Sequence, residues 1–548
     1  MNKWQVLNKT KITEVTEIVK VLLTNRGLKA KQEIDSFLDP KLSDLTIENS
    51  GIDSREVDKS TTRIKNAIKN NEQIIIFGDY DVDGICGSAI LWETLNDIGA
   101  KVLPYIPHRT SEGYGLSITG IKNILIKHKD VKLIITVDNG IVANDAVDFA
   151  KQQNIDVIIT DHHVPASKKP NAFSIIHTTQ LCGTGVAYLF SKEFKTKNKF
   201  DHLSLAAIAT VADLVPAVGG SRIILKSGLE ELKITKRPGL LALIKEAAIE
   251  QGVIGVFEIG HILGPRINAM GRLELAMDSL RLLCTKDNQK AEELAMKLTD
   301  TNTKRKDITI ESFESAKSKV RKQRLEKQNL IIIGDESYNP GVIGLIASRL
   351  VDEFYLPSIV LSVGQKISKA SARSISGFNI IEFIRKASEL LVDAGGHPMA
   401  AGFTVETKNI DKLMKKLSKL AKSLVTLEML ERTIKIDAET NAENINLEFY
   451  NEFSKLAPFG VGNPQPVFMT RNLTVSDMRM VGKSSQHILL KLISSEKKPL
   501  DAIFFNQTER VHEISIGDDI DAVYTIDKDE WRGITRFKLK IRDFRISL

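Results

Sequence analysis

Residues 74–84, Ile-Ile-Ile-Phe-Gly-Asp-Tyr-Asp-Val-Asp-Gly, constrain the chain more than any other stretch. The apolar run Ile74 to Phe77 has the length and composition of a strand buried on both faces, and it ends abruptly in Asp79, Asp81 and Asp83. Gly84 to Leu91 then begins a helix, so the aspartates fall on the turn at the strand's carboxyl end, where open α/β sheets place their chemistry. Two carboxylates about 4 Å apart repel by roughly 4 kcal/mol at an effective dielectric of about 20, so several on one turn need cations or solvent to offset them. A divalent metal meets that need. A helix cap with a solvated acidic turn is the alternative for this stretch taken alone.

The rest of the chain bears on that choice. Its 548 residues imply about three or four domains. With 42% apolar and 26% charged residues it has the composition of a soluble globular protein. A net charge of +7 permits a polyanionic partner without requiring one. The three cysteines, Cys86, Cys182 and Cys284, lack metal-type spacing and suit a reducing compartment. No signal-peptide core or membrane-length apolar run is visible, so a cytoplasmic protein without membrane association is expected.

Residues 1–54 read as a helical lead-in. From 55 to 285 strand-like runs alternate with helical stretches, the pattern of a parallel sheet with crossover helices. Three more apolar runs deliver ligand-type residues. Leu133 to Val137 leads to Asp138-Asn139-Gly140, Val157 to Thr160 to Asp161-His162-His163, and Leu205 to Ala212 to Asp213. Taken as strand ends on one sheet edge, they could assemble a metal cluster from Asp81, Asp83, Asp138, His162 and Asp213. The alternatives are a turn-forming role for Asp138 and a helix cap for Asp213. An oxygen-rich set with imidazole and no thiolate favours Mn²⁺ or Mg²⁺.

Residues 286–328 lack Pro and Gly and predict one long helix, on which Asn302 and Arg305 continue the stripe of Ala291, Leu294, Ala295 and Leu298 toward an interlobe cleft. A second lobe at 329–431 contains the strands Leu330 to Gly334 and Ser358 to Ser362. It also carries Ser371-Ala372-Arg373-Ser374 and a Gly395-Gly396-His397 loop, whose small residues would let backbone amides approach an anion. Residues 432–548 read as short strands of a barrel, with Phe504, Phe505 and Trp531 available for strand binding.

Gly-Asp-Tyr-Asp-Val-Asp-Gly, Val-Asp-Asn-Gly, Asp-His-His and Val-Ala-Asp-Leu-Val-Pro, in this order, resemble the four motifs of the DHH phosphoesterase superfamily and, within it, the RecJ family of single-strand-specific exonucleases. Pro107-His108-Arg109, Glu112-Gly113-Tyr114-Gly115, Gly183-Thr184-Gly185-Val186-Ala187 and the run Gly264 to Arg272 extend the resemblance. It implies an α/β fold with a DHH parallel-sheet lobe, a connecting helix, a DHHA1 α/β lobe and a C-terminal OB-type barrel. It implies a metal-dependent exonuclease that degrades single-stranded DNA 5′ to 3′ into mononucleotides in repair and recombination. Two ions, Mn²⁺ or Mg²⁺, would sit among Asp79, Asp81, Asp83, Asp138, His162 and Asp213, with Asp138 bridging. His163 would orient His162 or touch the scissile phosphate. Substrate contacts would come from Arg109, Tyr114, Arg266, Asn268, Arg272, Asn302, Arg305, Ser371, Arg373, Ser374, Gly395, Gly396 and His397.

One position departs from the smaller members of the superfamily: Phe77 stands where they carry a His, which makes Asp79 the expected substitute. A monomer acting with a single-strand-binding protein or a helicase is the expected setting. The rivals are a phosphodiesterase of short oligonucleotides or cyclic dinucleotides and a degenerate DNA-binding scaffold.

Overall fold

The computed structural model describes residues 2–12, 14–109, 111–531 and 534–547. It divides into two compact units, Leu45–Val215 with Ile224–Arg432, and Met1–Asp44 with Pro216–Ile223 and Thr433–Leu548. Strand β1 (Lys3–Ile12) opens the chain, where a helical lead-in was expected. The apolar clusters that suggested helices do form them, at Ile18–Asn25 and Lys31–Leu38, but they follow the strand.

In the larger unit β2 (Gln73–Gly78), β3 (Val102–Tyr105), β4 (Val131–Val137), β5 (Asp156–Asp161) and β6 (Ser174–His177) form an all-parallel sheet in the order β3-β2-β4-β5-β6. Every residue of β2 is buried, as a parallel strand covered on both faces requires. Gly78 pairs with Val137 and Val137 with Thr160, so Asp79, Asp138 and Asp161 stand at one level, Asp161 as the last residue of β5. Asp213 arrives differently. Leu205 to Ala212 lies in the helix His202–Ala212, and Asp213 is its C-cap. A short apolar run has the same pattern in a buried helix as in a buried strand, and the alanines at 206, 207, 209 and 212 favour the helix.

The 35-residue helix Asn288–Lys322 buries Ala291, Ala295, Leu298 and Asn302 along one stripe, and farther on its Phe313, Ala316 and Val320 join the core of the second sheet. That sheet contains β7 (Ile331–Asp335), β8 (Ser358–Ser362), β9 (Ile367–Arg373), β10 (Leu391–His397) and β11 (Ala400–Glu406), ordered β10-β11-β9-β8-β7. Gly395, Gly396 and His397 lie in β10, paired with β11, and not in a loop. Among the described residues no helix is long and apolar enough to cross a membrane.

The smaller unit joins β1 to β12 (Thr433–Thr440), β13 (Phe468–Val481), β14 (His487–Ile493), β15 (Pro499–Phe504), β16 (Asp519–Trp531) and β17 (Ile534–Ile546). Pairing of β13 with β16 closes the last five into a barrel, and β12 runs parallel between β1 and β13. Phe504 is in the barrel core, with its ring edge against Phe544, so it offers no surface to a strand; Phe505 is exposed, and the side chain of Trp531 lies outside the described residues. Arg222, from the inserted segment Pro216–Ile223, is fully buried here. Its guanidinium donates to the carbonyls of Phe37, Leu456, Ala457 and Pro458 and lies 3.8 Å from the centre of the Phe37 ring. Burial, reinforced by Arg26, pushes its pKa down to about 10.

One buried ionic network fixes the helix Val82–Asp97, which leaves β2 through the aspartate turn. Arg237 donates to both oxygens of Glu93 (2.7 and 3.0 Å), to Asp201 and to the carbonyl of Leu283, while His202 lies 2.9 Å from Glu93. Burial alone would raise the Glu93 carboxyl, but His202 and Arg237 hold it below its usual range. A carboxyl lowered in the folded state contributes stability that is present above its unfolded pKa and lost as pH falls. Glu93→Ala is therefore expected to destabilise the larger unit by about 3–5 kcal/mol at neutral pH, because Arg237 stays buried with half its partners gone. The difference from the unaltered protein, read by urea unfolding in chelator, should shrink as pH falls through the carboxylate range. A loss below about 1 kcal/mol would contradict the network's role.

A candidate metal centre beside a cationic pocket

Asp79 follows β2 and is buried. Asp81 caps the helix Val82–Asp97, accepting from the amides of Asp83 (2.9 Å) and Gly84 (3.2 Å). Asp83 accepts at one oxygen from the amide of Gly183 (2.6 Å) and at the other from that of Thr184 (2.7 Å), the positive start of the helix Gly183–Ser191. That approach depends on Gly183, since a Cβ there would lie 2.6 Å from the Asp138 Cβ. Asp138 itself has φ 62°, a left-handed conformation that Asp and Asn adopt most readily among residues with side chains. Asn139 locks the turn by donating to the carbonyls of Phe77 and Val137 and accepting from the amide of Leu116.

Three sets of ligand atoms each gather within 4.8 Å: Asp79 with Asp81 and Asp138, Asp83 with His162 and Asp213, and Asp138 with His162 and His163. Asp138 and His162 each belong to two sets. The His162 Nε2 lies 3.1 Å from Asp138, 3.5 Å from Asp213 and 3.6 Å from Asp83. Asp79 Oδ1, Asp138 Oδ1 and His162 Nε2 are buried without a hydrogen-bond partner. Buried acceptors left bare in this way are costly, and together they form an oxygen-rich, thiolate-free donor set that fits divalent cations. Burial first, and the neighbouring carboxylates second, raise the carboxyls of Asp79, Asp81 and Asp138 and push Asp213 up to about 9. Burial also lowers His162, keeping its imidazole neutral and able to bind a metal.

Asp161, the first residue of Asp-His-His, is in none of these sets. One of its oxygens accepts from the amides of His162 (2.7 Å) and His163 (3.1 Å) and pairs with His163 Nδ1 at 2.7 Å; the other accepts from the amide of Ile141. Burial would lower His163, but Asp161 outweighs it and raises it, which favours an imidazolium. His163 Nε2 meets the Tyr114 hydroxyl at 3.0 Å, and the ring of His397 stacks on His163 at 6.0 Å between centroids.

Beside the carboxylates lies a group of cations. Arg272 is lowered to about 10 by burial and then by Arg109, Arg305 and Arg373, and it also feels Asp81. Burial lowers Arg373 too, with Arg109 adding to it. None of these four guanidinium groups makes an ion pair among the described residues. Arg373 donates to Ser371 Oγ and to the carbonyl of Ala372, Arg272 to the carbonyl of Gly341, and Arg109 sits over the Tyr80 ring. Arg305 Nε and Asn302 Oδ1 are buried without partners. Like charges without anions are stabilised by an anionic ligand, and phosphate suits arginines of this kind.

The remaining candidates divide. Asn268 accepts from the amide of Val82 and so holds the start of the metal-side helix. Ser374 donates to the carbonyl of Phe378 within its own turn, and Arg266 is taken up by the carbonyl of Ile262 and by Thr299. Gly396 has φ 138°, and a Cβ there would strike the carbonyl of Ala400, whereas one at Gly395 meets nothing.

Residues 73–214 match the DHH family, N-terminal domain, 327–423 the DHHA1 domain, and 436–543 the RecJ OB domain. The single-stranded-DNA-specific exonuclease RecJ of Bacillus subtilis is 35% identical over 99% of this chain and 70% of its own length. The chain belongs to the RecJ family. The crystal structure of Thermus thermophilus RecJ in complex with Mn²⁺ has the same fold, with a TM-score of 0.82 at 24% identity over 99% of this chain and 79% of that one. A crystal structure of exonuclease RecJ bound to manganese is 29% identical with a TM-score of 0.59, over 69% of this chain and 97% of that one.

In this RecJ family member Phe77 is fully buried, with its ring 5.2 Å from that of Tyr105, on the face of β2 packed in the hydrophobic core. Sequence reasoning missed three positioning groups, Asp161, Asn139 and the Gly183–Thr184 amides, although each lies inside a quoted motif. Asp138→Asn keeps the left-handed turn and removes one charge. In chelator it should melt at or above the temperature of the unaltered protein, because carboxylate repulsion is relieved. The unaltered protein should gain about 2.7 kcal/mol per site at a hundredfold excess of Mn²⁺ over its dissociation constant, and the variant much less. Equal gains would contradict a ligand role for Asp138.

Proposed function

We propose that this chain is a two-metal exonuclease that removes mononucleotides from the 5′ end of single-stranded DNA. The observation that carries the reading is the adjacency, within one compact unit, of a carboxylate and imidazole cluster sharing Asp138 and His162 and a group of arginines without ion pairs among the described residues, of which Arg109 lies over the ring of Tyr80, between Asp79 and Asp81. Asp79, Asp81, Asp83, Asp138, His162 and Asp213 would hold two divalent ions, with Asp138 common to both. Bound there, such ions supply a nucleophile at neutral pH and neutralise charge on the phosphate and the leaving oxygen.

The chain's own residues do the rest. Asp161 pairs with His163 Nδ1 and favours its protonated form, and the His163 ring, beside the Tyr114 hydroxyl, would donate to a phosphate oxygen. Gly183 and Thr184 fix Asp83 through two amide hydrogen bonds, and Asn139 fixes the Asp138 turn, so the donors are held in place for loading. Arg373, supported by Ser371, together with Arg109 and Arg272, would take the terminal 5′-phosphate. The RecJ OB domain match supports strand binding by 436–543. A monomeric state, and partners that unwind or cover single strands, belong to the same proposal and are supported by family membership alone.

Product analysis on long single strands labelled at either end, with duplex and dinucleotide controls, tests the proposal. Labelled mononucleotide should appear first from the 5′ end, only with Mn²⁺ or Mg²⁺, and duplex should be spared. Preference for dinucleotides would instead indicate a short-oligonucleotide phosphodiesterase. Arg373→Ala should slow 5′-phosphorylated strands by about ten- to a hundredfold, the value of one charge-assisted hydrogen bond, and 5′-hydroxyl strands much less. Equal slowing would make Arg373 a general backbone contact.

A further inference from the structure

Four lysines, Lys327, Lys415, Lys419 and Lys422, line a groove of about 650 Å³ between the helix Ile410–Leu424 and the segment that leads into β7. All four are exposed, none is paired with a carboxylate among the described residues, and no acidic, aromatic or aliphatic residue lines the groove, whose other walls include Gln328 and Ser418. The neighbouring Lys416, by contrast, is paired with Glu389. No residue of the metal centre or of the arginine pocket lines it. The helix is held from its other face by Leu413, Leu417 and Ala421 in the core, so its basic face is rigidly presented. At about 1.5 Å rise per residue, Lys415, Lys419 and Lys422 form a ladder of charges roughly 5 Å apart.

We propose that this groove is a second, sequence-independent site for the phosphate backbone of the single strand, distinct from the pocket for the chain end. The inference rests on the reading of single-stranded DNA as substrate. Lysine ammonium groups act as rotatable point charges suited to phosphate oxygens. Without rings to stack on or forks to read an edge, the groove recognises charge spacing alone. An acidic peptide is the less favoured occupant, since peptide recognition needs side-chain pockets and the walls here carry only charged and polar residues.

The test measures equilibrium binding of a fluorescent forty-residue oligothymidylate to the full chain in chelator, where hydrolysis is absent, across a range of salt. Combined Lys415→Ala, Lys419→Ala and Lys422→Ala should flatten the plot of log affinity against log salt by about 2, each single-strand phosphate contact contributing about 0.7. Lys65→Ala, Lys129→Ala and Lys169→Ala together, an equal loss of exposed charge elsewhere in the unit, should leave the slope nearly unchanged. An unaltered slope in the groove variant, or the same change in both variants, overturns the proposal. So does loss of poly-glutamate binding with the DNA slope intact, which would mark a peptide surface. Failure of the unaltered protein to cleave single strands in Mn²⁺ would instead remove the proposed function, and it is read in a separate assay.

Discussion

Carboxylates that converge on one point repel each other, and the larger unit brings the buried Asp79 and Asp138 and the partly buried Asp81 and Asp213 together despite that cost. Each is held by structure that cannot easily yield. Asp79 and Asp138 leave adjacent parallel strands at the same level, Asp81 is tied by two amides at a helix start, and Asp213 ends a buried helix. Burial first, and the neighbouring carboxylates second, raise these carboxyls. Cations relieve the repulsion, so metal affinity and the electrostatic component of stability are two expressions of one arrangement.

The same economy extends outward. Asp83 is held by the start of one helix, Asp161 pairs with His163, and Glu93 pairs with Arg237 at the opposite end of the helix that Asp81 begins. The arginines at 109, 272, 305 and 373 have no counter-ion among the described residues. A molecule with negative charge at its end and along its length would complete both halves of the site at once, phosphates bridging cations in the pocket and ions on the carboxylates.

Much of this was legible in the sequence because it is local. A strand-like run that stops in Asp, or in Asp-His-His, carries its own address, and β2, β4 and β5 end where the runs end. What was misread or missed depends on distant partners. The strand β1 pairs with β12, whose sequence lies more than four hundred residues away, and nothing near Lys3 to Ile12 announces it. Arg222 is caged by carbonyls from Phe37 and from residues 456–458, and carbonyls leave no trace in sequence. The run before Asp213 was ambiguous because burial on all sides erases the periodicity that separates helix from strand. Arg305 was legible from the helical stripe and Arg373 from its flanking serines, whereas Arg109 and Arg272 came from the resemblance.

The central claim is that one shared cluster holds two ions through Asp138. Counting bound Mn²⁺ by electron paramagnetic resonance, with free ion measured against total in titrations of the full chain, tests it most directly. The account requires two ions per chain in the unaltered protein, and at most one of comparable affinity in Asp138→Asn. Retention of two tightly bound ions by the variant would contradict it.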